Sequence, residues 1–457
     1  MIVKSESETY PIIYAESMNL TSSEVLEDWI RNHPKCRKIV IVTDTRVYKM
    51  QNEELNRFKR LLVDEDSLNV SIKMISEGEN SKSISEAELL WTHLAEIGFC
   101  RNDLLVAFGG GMIGDLVGFC ASTYMRGVSY IQIPTTLLAQ IDSSVGGKVA
   151  INLNQGKNLI GQFYNPEMVI IDIRYLLTLD EAIFIDGLGE LIKYGLLGAN
   201  ILLNWLSNYQ NVTAIKRVII ESPLEFESII KQCLEIKRVI VEADFKENGI
   251  RKYLNYGHTI GHAIEQNFEY RLRHGNCVIQ GCWWLFQLAI ENESQNILLH
   301  IGDKYEQVND TYAQDSNQEC KTNKNLIQEM KSDDVKLGDV NTSPKLECLK
   351  VQLNILEKLM KQYGFNIEKS ISVKALISFL KIDKKNTREG IQFIWPNGEC
   401  INSGLIFLSD DYRLDDLYII RDEAVLKMLD ANVTIKVIPI ELIVQMMNKV
   451  LSSEKND

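Results

Sequence analysis

The 457-residue chain has nine cysteines, at positions 36, 100, 120, 233, 277, 282, 320, 348 and 400, and no Cys-x-x-Cys pair among them. Scattered and odd in number, they exclude a disulfide framework and predict reduced thiols in a cytoplasmic protein. No window of about 18 apolar residues occurs, which excludes a transmembrane helix. The start, MIVKSESETY, lacks the basic and then apolar order of a signal peptide. Positive charge is also short: 49 Lys and Arg face 62 Asp and Glu, a net charge of −13. That balance excludes a generic nucleic-acid or anionic-membrane binder, while leaving room for a local cationic pocket. Histidine is scarce too, with six in all. Two of them, His258 and His262, stand four apart in LNYGHTIGHAIE, and His274 follows in LRHGN.

A hydrophobic fraction of 45% supplies an ordinary globular core, and the length suits two or three domains. In the first part, β-rich runs alternate with helical ones. KIVIVTDT (38–45), VSIKMI (70–75), DLLVAF (103–108), VSYIQIP (128–134) and MVIIDI (168–173) predict strands. SEAELLWTHLAEIG (85–98) predicts a helix between two of them. The order predicts an α/β nucleotide-binding domain, residues 1–174, with a parallel sheet covered by helices on both faces. From about residue 175 helical spacing dominates, in 180–197, 226–244 and 349–364. A second, mainly α-helical domain over 175–457 follows. Residues 303–347 are polar and aperiodic, and predict a structureless insertion.

The run LLVAFGGGMIGDLVGF sets Gly109, Gly111 and Gly114 in G-x-G-x-x-G spacing after a buried strand. Glycines let backbone approach a pyrophosphate, and the following helix start offers N–H groups and a positive dipole end. By itself the spacing also suits a plain strand-to-helix turn. Asp44, ending an earlier strand, and Thr135 and Thr136, at another strand end, strengthen the ligand reading. Arg126, Lys148 and Lys157 stand near glycines and apolar residues, with Asp142 and Asn158 close by in sequence, and together suggest an anion pocket. Glu190 and Lys193 share one face of a helical turn in the otherwise apolar GLGELIKYG. A carboxylate there needs a cation. With Glu190, His258, His262 and His274 available, several three-ligand metal sites are possible, and spacing alone selects none of them.

Taken together, GGGMIGDLVGF, IPTTLLAQIDSSVGGKVAINLNQGKNLIG, GLGELIKYGLL, LEIKRVIVEAD, IRKYLNYGHTIGHAIE and DKKNTREG resemble the 3-dehydroquinate synthase family over nearly the whole chain. The resemblance implies a homodimer holding NAD and Zn2+ (or Co2+), acting on a small sugar phosphate, with no nucleic-acid or membrane partner. It implies metal ligands at Glu190, His258 and His274, with His262 facing substrate as a candidate proton carrier. Substrate contacts carry over onto Asp142, Lys148, Asn158, Lys193, Lys237, Arg251 and Asn255, and onto Lys384 or Lys385. Arg126 matches an arginine that reaches the phosphate from the neighbouring subunit. NAD contacts carry over onto Asp44, Glu79, Lys82, Gly110, Gly111, Asp115, Thr135, Thr136 and Lys157. The implied reaction removes a hydride, eliminates phosphate, returns the hydride and closes a carbocycle by an aldol step.

Two positions depart from the family pattern. Asn276 stands where a glutamate is usual, which implies weaker metal binding if that glutamate supports the metal histidine. Gly189 stands where alanine is usual, a change read as minor. The rival readings are a related sugar phosphate cyclase and a metal-dependent polyol dehydrogenase, which would release NADH. The D-S-S-V-G-G-K, L-N-x-G-H and D-K-K motifs are all intact, which favours the 3-dehydroquinate synthase reading over the related cyclases.

Overall fold

A computed structural model describes residues 1–5, 8–63, 68–314, 343–368, 372–380, 391–398 and 422–453. The strands of the main sheet are β1 (Ile2–Lys4), β2 (Thr9–Tyr14), β3 (Lys38–Asp44), β4 (Asn69–Ile75), β5 (Leu104–Gly109), β6 (Tyr130–Pro134) and, after a hairpin, β9 (Met168–Ile171). Their order is β1-β2-β9-β6-β5-β3-β4. Every pairing from β2 to β4 is parallel, and only β1 runs antiparallel at the edge. Helices α1 (Ser22–Asn32), α2 (Thr45–Met50), α3 (Asn52–Val63), α4 (Ile84–Glu96) and α5 (Gly111–Thr123) connect the strands.

Both faces of the sheet are buried, as expected for parallel strands. Ile39 and Ile41 of β3 pack with Trp29, Leu55 and Phe58 on one side. Val40 and Val42, one residue out of phase, pack with Leu90, Leu94 and Leu116 on the other. The chain passes from β3 to β4 on one side, then crosses back to β5 on the other. A gap therefore opens between the carboxyl ends of β3 and β5, at Asp44 and Gly109, where the strand order reverses.

The sequence signals missed the hairpin of β7 (Lys148–Leu153) and β8 (Gly156–Phe163). It carries Lys148, Lys157 and Asn158, and its Val149 and Ile151 are buried with the α5 side of the sheet. Glycine-rich polar stretches hide strand periodicity, because half of this hairpin faces out.

The second part is helical: α6 (Glu181–Leu196), α7 (Asn200–Ser207), α8 (Val212–Glu221), α9 (Pro223–Ala243), α10 (His258–Asn267), α11 (His274–Gln314), α12 (Pro344–Tyr363), α13 (Val373–Leu380), α14 (Asp422–Asn432) and α15 (Ile440–Ser453). An antiparallel pair, β10 (Ile391–Pro396) with β11 (Val433–Ile438), interrupts the helices. The expected insertion at 303–347 needs correction at both ends. Helix α11 continues to Gln314, because adding a residue to an existing helix costs far less than starting one. Helix α12 begins at Pro344, with the Leu346 N–H donating to the Ser343 hydroxyl at 3.0 Å. Residues 315–342 lie outside the described residues.

Glycines set how close α11 comes to its neighbours. A Cβ on Gly281 would lie 2.0 Å from the Gly257 carbonyl oxygen, and one on Gly261 would lie 2.9 Å from that of Cys277. Gly189 is not a minor change here: its Cβ would meet the Gly275 Cα at 2.6 Å, backbone that cannot step aside as a side chain can. Among the described residues no helix is long and apolar enough to cross a membrane. Seven cysteines among those residues are free.

Gly281→Ala is expected to destabilise the protein by roughly 1–3 kcal/mol, the usual cost of overpacking, by forcing α11 off α10. Urea denaturation checks this, and an unchanged midpoint would count against so close a backbone approach.

Candidate active site

Three helices bring Glu190, His258 and His274 together. Glu190 sits in α6 at 0% exposure, while His258 and His274 are the first residues of α10 and α11. Gly257, at φ 75°, makes the turn into α10. One candidate ligand atom from each of the three lies within 4.8 Å of the others.

The orientation of each ring is fixed from behind. His258 Nδ1 lies 3.0 Å from the Tyr256 carbonyl oxygen, which can only accept, so Nδ1 carries the hydrogen. His274 Nδ1 faces the Glu265 carboxylate at 2.8 Å. Both Nε2 atoms then turn toward Glu190 Oε1, at 3.5 Å and 3.3 Å. Lys193 Nζ, 2.5 Å from Oε2, holds the other oxygen. Neither Glu190 oxygen accepts a well-formed hydrogen bond. In neutral rings, two nitrogen lone pairs and a carboxylate oxygen converge on one point, and only a cation relieves that arrangement. Without a metal, a proton does so. Burial works against a charged His274, but Glu190 and Glu265 raise its pKa to about 10. Burial holds His258 well below its ordinary value, against the pull of Glu190. For Glu190 itself, burial disfavours the charge, and Lys193 with the histidines outweighs it, leaving the carboxyl well below the usual range. Two imidazole nitrogens and one carboxylate oxygen suit a zinc-like divalent ion.

His262, one turn beyond His258, is not in this trio, although its ring centre lies 5.3 Å from that of His258 and 6.1 Å from that of His274. It belongs instead to a second group with Glu265 and His274. Glu265 went unnoticed in the sequence. Its signal was its place three residues after His262, on the same face of α10. Asn276 accepts from Gln280 Nε2 at 2.7 Å, while Glu265 provides the carboxylate behind His274.

From Glu190 a polar network runs outward. Lys193 Nζ donates to the Leu254 carbonyl at 2.9 Å, and the next residue, Asn255, donates to Glu247 Oε1 at 2.6 Å. Lys148 Nζ lies 2.5 Å from Glu247 Oε2. Glu247 is a second residue missed, a loop glutamate at φ 61° that no local pattern marks. Asp142, on a short π-helical turn (Ala139–Ser143), accepts from the Tyr194 hydroxyl at 2.6 Å and lies 3.0 Å from Lys237 Nζ. Burial pulls the Lys237 pKa down to about 8 despite Asp142. Arg251 is 2% exposed and donates to the carbonyls of Phe245 and Gly146 at 2.5 and 2.9 Å. It braces the Gly146–Gly147 turn that leads into Lys148.

A cavity of about 500 Å³ opens at the gap between β3 and β5. Six of the nine residues expected at a dinucleotide line it: Asp44, Glu79, Gly110, Gly111, Thr135 and Thr136. The other three make contacts within the protein. Lys82 Nζ lies 2.5 Å from both Asp115 Oδ2 and Asn158 Oδ1. Lys157 Nζ lies 3.5 Å from Glu265 Oε2 and 4.4 Å from the centre of the Tyr270 ring, tying the hairpin to the helical part. Arg126 is exposed, just past the end of α5 that is remote from the glycine loop. Lys384 and Lys385 lie outside the described residues.

Among known proteins, residues 72–186 match the family described as 3-dehydroquinate synthase N-terminal, and residues 187–336 match 3-dehydroquinate synthase C-terminal. The chain is 45% identical over 247 residues to the 3-dehydroquinate synthase of Clostridium acetobutylicum, covering 54% of this chain and 66% of that one. It is 40% identical over 299 residues to that of Thermoanaerobacter pseudethanolicus, covering 65% of this chain and 78% of that one. The matched stretch thus spans about two thirds of the first relative. A crystal structure of 2-deoxy-scyllo-inosose synthase complexed with carbaglucose-6-phosphate, NAD+ and Co2+ superposes with a TM-score of 0.64. It covers 98% of this chain and 99% of that one at 19% identity, a likeness of fold.

Lys193→Met is expected to destabilise the metal-free protein by roughly 3–5 kcal/mol, because it strips a buried carboxylate of its nearest cation. Added Zn2+ should recover part of the loss, by bringing a cation to the same carboxylate. Denaturation with and without Zn2+ tests this, and equal midpoints for both proteins would refute it.

Proposed function

The chain belongs to the 3-dehydroquinate synthase family, and on that footing we propose that it converts 3-deoxy-D-arabino-heptulosonate 7-phosphate to 3-dehydroquinate and phosphate. The observation that carries the reading is the convergence of two imidazole Nε2 atoms on Glu190 Oε1, at one end of a polar network that reaches Lys148. A divalent ion, zinc or cobalt, is held by Glu190, His258 and His274, and NAD occupies the cavity at Asp44, Gly110 and Gly111. Bound there, the two groups supply Lewis acidity and a hydride acceptor that returns what it takes.

The protein's own residues bind and orient. The substrate's phosphate and carboxylate call for cations, which Lys148, Lys193 and Lys237 supply, with Asn158 and Asn255 as further polar contacts. Arg251 positions the Gly146–Gly147 turn. Asp142 keeps Lys237 in place. His262, beside the metal ligands, is the proton carrier. Glu247, held between Lys148 and Asn255, is a second group able to accept a proton. Arg126 serves the site of a second copy, which makes the protein a homodimer. One of Lys384 and Lys385 completes the anion site. Lys82, Asp115 and Lys157 are NAD contacts whose present partners yield to the nucleotide. The domains divide at 174/175, and the enzyme works in the cytoplasm.

Incubated with NAD and the heptulosonate phosphate, the protein is expected to release phosphate without accumulating NADH absorbance. Stoichiometric NADH would assign it to the polyol dehydrogenases instead. His274→Ala should lose both metal and activity while keeping its fold, and full metal content by elemental analysis would remove the ligand assignment. A pH dependence follows from Lys237. Below about pH 8 it is a cation and attracts the substrate; above that it is neutral and does not. The rate constant kcat/KM, which reports the free enzyme, is expected to fall as pH rises through about 8. In Lys237→Arg that descending limb should vanish, and a limb unchanged by the substitution would exclude Lys237 as its source.

A further inference from the structure

The cavity between β3 and β5 has a charge problem that its proposed occupant makes worse. Five carboxylates line it, those of Asp44, Glu77, Glu79, Asp180 and Asp186. A dinucleotide adds two negative charges at its pyrophosphate. The start of α5 answers part of this with the N–H groups and positive dipole end at Gly110 and Gly111. Two arginines also line the cavity, Arg46 and Arg273. Arg46 is already engaged, with Nη2 2.5 Å from Asp180 Oδ2 and Nε 3.8 Å from Glu77 Oε2. Among the described residues, no ion pair engages Arg273.

Position singles out Arg273 as well. It is the last residue before α11, and its carbonyl accepts the Cys277 N–H at 3.1 Å. Asp186 Oδ1 accepts the Gly275 N–H at 2.6 Å, which pins this helix start to α6. The backbone beneath Arg273 is therefore fixed, while its side chain is exposed at the cavity wall contributed by the helical part. The glycine loop belongs to the sheet, so the two cationic features come from different parts of the protein.

We propose that Arg273 is a binding residue that clamps the pyrophosphate of the dinucleotide from the helical side, against the Gly110–Gly111 loop. This rests on the reading that the cavity takes NAD. A planar guanidinium suits the task, since it can hold two phosphate oxygens at once. The clamp also links two ligands. Arg273 adjoins His274, so one helix start presents a cation to the nucleotide and an imidazole to the metal, and fixes the distance between them.

Calorimetric titration with NAD, ADP-ribose and adenosine tests the assignment on the zinc-loaded full chain and its Arg273→Gln and Arg273→Lys variants. Arg273→Gln is expected to weaken NAD and ADP-ribose by about tenfold, the scale of one charge-assisted hydrogen bond. Adenosine, which has no phosphate, should bind unchanged, and zinc content should stay full. Arg273→Lys should recover part of the loss. NAD affinity within about twofold of the unsubstituted chain would overturn the proposal, as would an equal loss for adenosine or a loss of zinc in Arg273→Gln. Failure of the unsubstituted chain to bind NAD would overturn the cofactor reading, and the clamp with it, before any variant is compared.

Discussion

Glu190 carries its negative charge with no solvent access. A carboxylate in that position costs several kcal/mol unless cations answer it, and the surrounding architecture answers it twice. Lys193, one helical turn along α6, holds one oxygen. The first residues of α10 and α11 direct their Nε2 atoms at the other. This division of the carboxylate joins metal-binding chemistry to anion binding. The same Lys193 reaches on to Leu254, whose neighbour Asn255 meets Glu247 and so Lys148.

The convergence depends on helices meeting without side chains between them. Gly189 against Gly275, Gly257 against Gly281 and Gly261 against Cys277 let α6, α10 and α11 approach backbone to backbone. For His258, starting a helix also places the ring at the positive end of the helix dipole, which adds to burial in favouring the neutral form. Behind His274, Glu265 fixes the tautomer and in turn pairs with Lys157 from the β7–β8 hairpin. Glu190, His258 and His274 are thereby braced from both parts of the molecule.

Much of this was legible beforehand. The middle of the sheet could be read because β3, β5, β6 and β9 are buried on both faces and appear as short hydrophobic runs, whereas β1 and β2 were not read. The glycine loop and Asp44 could be read because they end adjacent strands at the reversal of order. The β7–β8 hairpin could not, since it faces solvent on one side and is rich in glycine and asparagine. Lys82 and Lys157 were matched to a cofactor, yet each already has protein partners, Asp115 and Glu265, far from it in sequence.

By itself, then, the sequence determined the α/β and helical parts, the nucleotide loop and the short list of groups from which a metal site could be built. Periodicity and turn chemistry are local, and local signals suffice for those. Only the tertiary structure decided which groups meet. Several three-ligand sets fitted the spacing of Glu190, His258, His262 and His274. The meeting of Glu190, His258 and His274 follows from ring orientation, which Tyr256 and Glu265 set from behind, and from helix crossings that glycine allows. Those contacts join residues up to 86 positions apart along the chain, as between Gly189 and Gly275 within the same crossing that brings Glu190 to His274. No window of sequence contains them.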